Sequence, residues 1–533
     1  MRSSWLSREY DKSKNVVVEK KGNNYILKNK ITNAEYSLNE SEYIKYENNE
    51  FNEIEWEKLY FRGLAIDKNC DNFEVDTNFS ISDKKFIKSP IVKNFPLKVE
   101  NETFQILINP ELGSWVALTI NDFERYEKNE LSKDEWFSLF IRGLCEDEDK
   151  TEMEFDFPIP ADYPSVIVVN ITTGCNLRCK YCFADCGPFK GEDMLESVMD
   201  ATIDSMLSMP EVKVITFEFQ GGEASTNVSG MRMFIEKVEK VKSKYDKLVK
   251  YRTEINCISV TEDLISLIKE FNVSVGISLD GPKEMTDQTR VDINGVGAFD
   301  RIEKGIKKLR DNGIYIDGAV CTVGQHNVHY PRQLMEYFNE VGMNFKPRPV
   351  NILGREKENN LTTKEGEWAK CFKEMHQMRN EVEVENFSIH IFEENVYTPI
   401  RDYICLRYPC GAARELVSVN PNGDVFPCDG FKGEEKFVMG NVLNEKIEDM
   451  LKKPEIIKLR NRTAETIEKC SKCLFKGMCC SCCYSAYGKF GDIYREDPHC
   501  SDRRQMYLYL MQAWIKENVL DKEKISEKQP VNC

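Results

Sequence analysis

"SVIVVNITTGCNLRCKYCF", Ser165 to Phe183, joins two kinds of sequence. It opens on an apolar run rich in β-branched residues, the composition of a strand buried on both faces. Close behind it come Cys175, Cys179 and Cys182, at spacings of four and three. The thiols therefore sit at the C-terminal end of a strand, where parallel α/β folds place their chemistry. A structural zinc or iron site takes four protein ligands. Three thiolates on one loop suit three irons of a four-iron cluster and leave the fourth iron open. The same spacing also suits half of a zinc site, and on spacing alone both readings stand.

Outward from this stretch the pattern is regular. Apolar strands recur at "VITFEF", "YRTEIN", "VSVGISLD", "IYIDGAVCTV" and "NFKPRPV", with helical segments such as "MFIEKVEKVKSKY" and "FDRIEKGIKKLRDNG" between them. Six β/α units in a row predict an α/β domain built as a partial (β/α)6 barrel of the TIM type, over residues 159–395.

The N-terminal region repeats itself with a period of 80 residues. Tyr46 matches Tyr126, Trp56 matches Trp136, and Arg62-Gly63-Leu64 matches Arg142-Gly143-Leu144. Each copy reads as a short strand pair followed by one or two amphipathic helices ending at Gly. We expect two winged-helix-like modules, over 1–78 and 79–158, joined through the Lys-rich "SDKKFIKSP". Over residues 1–150 there are 22 Lys and Arg against 29 Asp and Glu. An acidic module is a poor tracker of phosphates, so DNA is not the expected partner. Packing alone is the plainer role for such modules.

Composition sets the frame. The chain has 533 residues, a formal net charge of −16 and 41% hydrophobic residues. No apolar run approaches the roughly 20 residues of a membrane helix, and the N-terminus lacks the apolar core of a signal peptide. A cytoplasmic protein with neither nucleic acid nor membrane as partner is the expectation. Twenty cysteines then need explaining, because reducing cytosol disfavours disulfides. Isolated ones such as Cys145, Cys257, Cys321 and Cys371 read as small buried hydrophobes. The clustered ones do not.

A second cysteine field closes the chain, over residues 396–533. Cys410, Gly423 and Cys428 are followed by Cys470-x2-Cys473-x5-Cys479-x3-Cys483 and then Cys500, with Cys405 just upstream. A region this short of core needs metal staples. Taken alone, Cys-x2-Cys spacing favours a pair of zinc knots. The tail "RRQMYLYLMQAWIKENV" reads as an amphipathic helix docking back.

Together these motifs resemble the radical S-adenosylmethionine superfamily. Its CxxxCxxC loop matches Cys175, Cys179 and Cys182, and "FQGGEAST" stands where the family has Gly-Gly-Glu-Pro, with Ala224 in place of Pro. The resemblance implies that Gly221, Gly222 and Glu223, with Gln220 beside them, receive the methionine amino group. A carboxylate complements an ammonium. In "SLDGPKEMTDQTR" it implies that Ser278 and Asp280 bond ribose hydroxyls and that Arg290 pairs with the methionine carboxylate. Asn256, in "INCISV", corresponds to the family's Thr-Asn-Gly strand end.

The C-terminal pattern is similar to the seven-cysteine SPASM domain of radical enzymes that modify peptides and proteins. That resemblance implies one auxiliary cluster on Cys405, Cys410, Cys428 and Cys483, and another on Cys470, Cys473, Cys479 and Cys500. The cofactors implied are S-adenosylmethionine and three [4Fe–4S] clusters. Cys186, Cys480, Cys482 and Cys533 are surplus to it. Asp429, directly after Cys428, matches the catalytic carboxylate of anaerobic sulfatase-maturing enzymes, which takes a proton as substrate is oxidised; an Asp capping the following turn is the plainer alternative. The histidines of "HNVHY" read as loop residues facing solvent.

The expected activity is that of a ribosomal-peptide maturase: a 5′-deoxyadenosyl radical abstracts hydrogen from a precursor peptide, and a thioether or related crosslink follows. The duplicated modules would hold the precursor's leader as an added strand, and flavodoxin or ferredoxin would supply electrons. Formylglycine-forming sulfatase maturation is the alternative, and a zinc-stabilised peptide-binding scaffold is the reading without catalysis.

Overall fold

The computed structural model describes residues 10–521 apart from 13–15, 23, 30–34, 52–55, 57–64, 68–84, 141, 149–161, 189–190, 398–404, 406–407 and 480. Cys480, Cys533, Arg62-Gly63-Leu64 and the expected boundaries at 78/79 and 158/159 lie outside the described residues. The chain forms two compact units, one mainly of Pro160–Glu393 and Tyr403–Ala513, the other of Leu6–Ile159, Glu394–Asp402 and Trp514–Cys533.

The second unit holds the repeat. β1 (Tyr10–Lys12) precedes a meander of β2 (Val16–Lys21), β3 (Asn24–Asn29) and β4 (Glu35–Asn39), a helix at Glu40–Glu47, and β5 (Ala65–Asp67), which pairs back on β1. The next copy runs β6 (Phe86–Lys88), β7 (Lys93–Val99), β8 (Glu102–Ile108), β9 (Trp115–Leu118), helices Ile120–Glu127 and Lys133–Phe140, and β10 (Cys145–Asp147), which pairs with β6. Asn39 and Thr119, 80 residues apart, cap the equivalent helices by accepting from the amides of Glu42 and Asp122. The expected helices are present, but where a strand pair was expected each copy has a three-stranded antiparallel sheet and a further short strand pair. The second copy is fastened within its unit by Trp115, whose Nε1 donates to Val396 O at 2.6 Å and whose ring meets Trp514 edge-on.

The first unit is built on one sheet of order β16-β15-β14-β13-β12-β11-β17-β18-β19. β11 (Val166–Thr172), β12 (Val214–Gly221), β13 (Leu248–Ile255), β14 (Ser274–Ser278), β15 (Ile316–Val323) and β16 (Phe345–Pro349) are parallel and lie in chain order, as the strand runs predict. β17 (Leu416–Val419) joins β11 in parallel, and β18 (Asp424–Phe426) and β19 (Gly440–Asn441) follow antiparallel. Among the described residues the sheet does not close on itself. The expected boundary at 395/396 falls inside the helix Phe387–Tyr397, and strands of the cysteine-rich region extend the same sheet.

The two faces of this sheet differ. Phe217 and Phe219 of β12 pack on Phe234 of the helix Val228–Lys242. The opposite face is polar. Val168, Glu218 and Arg252 are paired neighbours in register, and so are Ser278, Val320 and Lys346. Parallel sheets covered by helices are ordinarily apolar throughout, so buried Glu218, Arg252 and Lys346 mark the face turned away from the helices. No helix among the described residues is long and apolar enough to cross a membrane.

Candidate radical site and cysteine fields

The loop after β11 is pinned along its backbone. The amides of Arg178 and Lys180 donate to Val291 O and Thr289 O at 2.7 and 2.9 Å. Arg355 donates from Nε to Cys179 O at 2.9 Å and pairs with Asp185 at 2.8 Å. Cys175, Cys179 and Cys182 lie within electrostatic reach of one another. Burial pushes Cys175 up, and pushes Cys179 up to about 12. An iron–sulfur cluster held by these thiols would displace their protons. Cys186, expected to be surplus, lies against Cys182, and its hydrogen bond together with nearby Arg355 lowers the Cys182 thiol.

At the end of β12 the glycines meet this loop. Gly221 has φ +131°, and a Cβ there would stand 2.0 Å from Thr172 O; one on Gly222 would stand 2.2 Å from Gly174 O. The amides of Gly222 and Glu223 donate to those same carbonyls, both at 2.8 Å. The close approach that requires glycine is therefore to the cysteine loop itself. Gln220 donates to Glu218 at 2.5 Å. Glu223 is buried; Oε1 accepts from the amide and hydroxyl of Ser225, and Oε2 from the Asn256 amide at 2.8 Å. Burial raises its pKa to about 7. Asn256 reaches the cysteine loop, donating to Asn176 Oδ1 at 2.7 Å.

Asp280, expected near the ribose, is held by protein donors. Its side chain is fully buried; Oδ1 accepts from Arg290 and the Thr322 amide, both at 2.9 Å, and Oδ2 from Tyr181 at 2.6 Å and Thr289 at 3.0 Å. Four protein donors fill the carboxylate's lone-pair directions. It braces Arg290 and the cysteine loop. Ser278 donates to Glu254 at 3.2 Å. Arg290 Nε, buried, has no hydrogen-bond partner among the described residues.

His326, read as facing solvent, is enclosed instead. It is buried, stacks on Tyr181 with ring centroids 6.2 Å apart and stands 3.9 Å from Asp280, while His329 is exposed as expected. Burial lowers the pKa of His326. The polar sheet face was also missed. Burial and Glu218 raise Glu254, and burial and Arg348 lower Lys346. Charged residues alternating through "FEFQ", "YRTEI" and "FKPRP" were the available signal.

Both downstream cysteine sets assemble. Cys410 lies against Cys483 beside Phe426 and Phe431, and Cys428 feels Cys405, Cys482 and Cys410. Cys482, expected to be surplus, thus joins this group. Cys470, Cys473, Cys479 and Cys500 form the other. Backbone amides donate to sulfur in all three fields, from Leu177 to Cys175, Gly430 to Cys428 and Phe475 to Cys473, each at 3.4 Å. Such bonds suit thiolates that carry iron. Among the described residues no three Cys, His, Asp or Glu side chains converge on one metal ion. A cluster takes one thiolate per iron and needs no such convergence. All-thiol donor sets with amide-to-sulfur bonds fit iron–sulfur clusters.

Asp429 does not cap its turn. Ser418 donates to Oδ1 and Lys432 to Oδ2, both at 3.0 Å. Burial works against the Lys432 charge, but Asp429, Cys186 and Cys182 together more than offset it and raise the ammonium's pKa.

Residues 169–338 match the radical SAM superfamily, and residues 410–474 match SPASM, an iron–sulfur cluster-binding domain. The chain is similar to the serine-type anaerobic sulfatase-maturating enzyme of Bacteroides thetaiotaomicron, 27% identical over 320 residues that cover 54% of this chain and 74% of that protein. It is also similar to the antilisterial bacteriocin subtilosin biosynthesis protein AlbA of Bacillus subtilis, 27% identical over 337 residues, 62% of this chain and 68% of that one. Among solved structures, native anSMEcpe with bound AdoMet superposes with a TM-score of 0.57 at 19% identity, covering 66% of this chain and 99% of the other. That likeness concerns the fold.

Proposed function

Because the chain carries a radical SAM domain and a SPASM domain, we propose that it is a maturase of a ribosomally made, Cys-containing precursor peptide that installs a thioether or related crosslink. One observation carries the reading: three thiols on a pinned loop, locked by backbone bonds to the Gly221–Glu223 turn. When bound, an iron–sulfur cluster and S-adenosylmethionine would supply reductive cleavage to a 5′-deoxyadenosyl radical. The protein's residues hold and orient. Cys175, Cys179 and Cys182 would hold the radical cluster, with Gln220 to Glu223, Asn256, Ser278 and Arg290 around the cosubstrate. Cys405, Cys410, Cys428 and Cys483 would hold one auxiliary cluster, and Cys470, Cys473, Cys479 and Cys500 the other. Asp429 would accept a proton as the substrate is oxidised.

Six parallel strands in chain order support a partial barrel around this site. In the duplicated modules, outer strands such as β2 and β7 offer edges to which a leader could add a strand. Flavodoxin or ferredoxin would be the electron donor.

The relatives named for sulfatase maturation keep formylglycine formation as the second reading. Anaerobic reconstitution tests both. A brown protein should convert S-adenosylmethionine to 5′-deoxyadenosine after reduction, and a co-expressed Cys-containing peptide should lose two hydrogens per crosslink by mass spectrometry. Conversion of a sulfatase Ser or Cys instead would favour the second reading. A colourless zinc protein would refute both.

A further inference from the structure

Lys432 lies four residues after Cys428, outside every motif read from the sequence. Its ammonium is buried, with a side chain 7% exposed, and makes three hydrogen bonds: to Asn170 Oδ1 at 3.3 Å, Gly221 O at 3.0 Å and Asp429 Oδ2 at 3.0 Å. An ammonium has three N–H donors, so all are used. The Phe183 ring, next to Cys182, packs 5.1 Å from the same nitrogen.

The contacts close into a ring. Ser418 holds the other Asp429 oxygen, Asn170 donates to Ser418 at 2.8 Å and to Asn420 at 3.0 Å, and Asn420 donates back to Lys432 O at 2.9 Å. One nitrogen thus touches the end of β11, the Gly221 turn, the cysteine loop and Asp429. Burying an ammonium is costly unless its partners are well placed. Three convergent acceptors suit a compact ammonium better than a planar guanidinium.

We propose that Lys432 is a positioning residue that locks Asp429 to the Gly221 turn, so that the proton acceptor and the radical-forming loops keep one geometry. This rests on the maturase reading and deepens it.

The test uses the reconstituted holoenzyme with two readouts. One is peptide product formed per 5′-deoxyadenosine. The other is the S-adenosylmethionine concentration that half-completes the change in the electron paramagnetic resonance spectrum of the reduced protein. Lys432→Met should lower the first at least tenfold and raise the second at least threefold. Asp429→Asn should lower the first and leave the second near wild type, and the double variant should be no worse than Lys432→Met. Lys432→Arg, which keeps the charge but not the three-way geometry, should keep the second near wild type and lower the first at least threefold. Wild-type values of both readouts in Lys432→Met overturn the proposal. If that variant fails to fold, wild-type values in Lys432→Arg do the same. A wild-type protein that forms no 5′-deoxyadenosine overturns the maturase reading itself, a result distinct from either.

Discussion

Between the carbonyl of Gly174 and the α-carbon of Gly222 there is no space for a methyl group. Gly222→Ala must push the turn away from the cysteine loop, and displacements near 1 Å at a reacting centre cost about 100-fold in rate. We predict that loss in 5′-deoxyadenosine formation, measured on reconstituted protein, with the fold retained by circular dichroism. Glu223 makes a prediction about pH. Its carboxyl has a pKa of about 7 when folded against an ordinary 4.5, so between those values the folded chain binds the extra proton. Stability should therefore fall as pH rises from about 4.5 through 7, by at most about 3 kcal/mol. Urea unfolding of protein purified without iron should show that slope, and Glu223→Gln should flatten it. Glu223 and the loop cysteines were legible because their spacing is local. Lys432, His326 and the bracing of Asp280 were not, because each depends on a partner far away in sequence: Asn170 is 262 residues from Lys432, and Tyr181, which also stacks on His326, is 99 from Asp280.

At the scale of elements the duplication is the clearest inheritance from sequence. Leu27, Leu38, Tyr46 and Trp56 form the core of the first module, while Leu107, Leu118, Tyr126 and Trp136, each 80 residues later, meet in the second. Lys12 and Lys88 stand 5.0 Å from the equivalent rings, those of Tyr46 and Tyr126. Trp136→Ala should cost about 3–5 kcal/mol in denaturant unfolding, as removal of a buried indole does elsewhere. The helix Glu262–Phe271 offers a smaller test, since Thr261 caps it through the Leu264 amide. Thr261→Ala should cost about 1 kcal/mol. Strand runs such as "VITFEF" announced themselves by composition. The closing pairs β1–β5 and β6–β10 did not, because three-residue strands joined across more than fifty residues leave no periodic signal.

Over the whole molecule, every cysteine expected to hold iron falls in the unit of Pro160–Glu393 and Tyr403–Ala513. Metal removal should therefore act on one unit. In calorimetry of reconstituted protein we expect two transitions, and chelation should lower one while leaving the other in place. Order along the sheet was legible from the chain, because successive β/α units become neighbours. That the cysteine-rich region would continue that sheet through β17 was not, since four-residue "LVSV" carries no mark of its partner.

We expect the loop at Cys175, Cys179 and Cys182 to hold a cluster with one iron left for the cosubstrate. That arrangement is tested most directly in a variant with Cys405, Cys410, Cys428, Cys470, Cys473, Cys479, Cys483 and Cys500 all replaced by Ala. After anaerobic reconstitution and reduction, its electron paramagnetic resonance signal should be that of a single cubane and should change when S-adenosylmethionine is added. A signal indifferent to S-adenosylmethionine, or no cubane at all, would contradict the account.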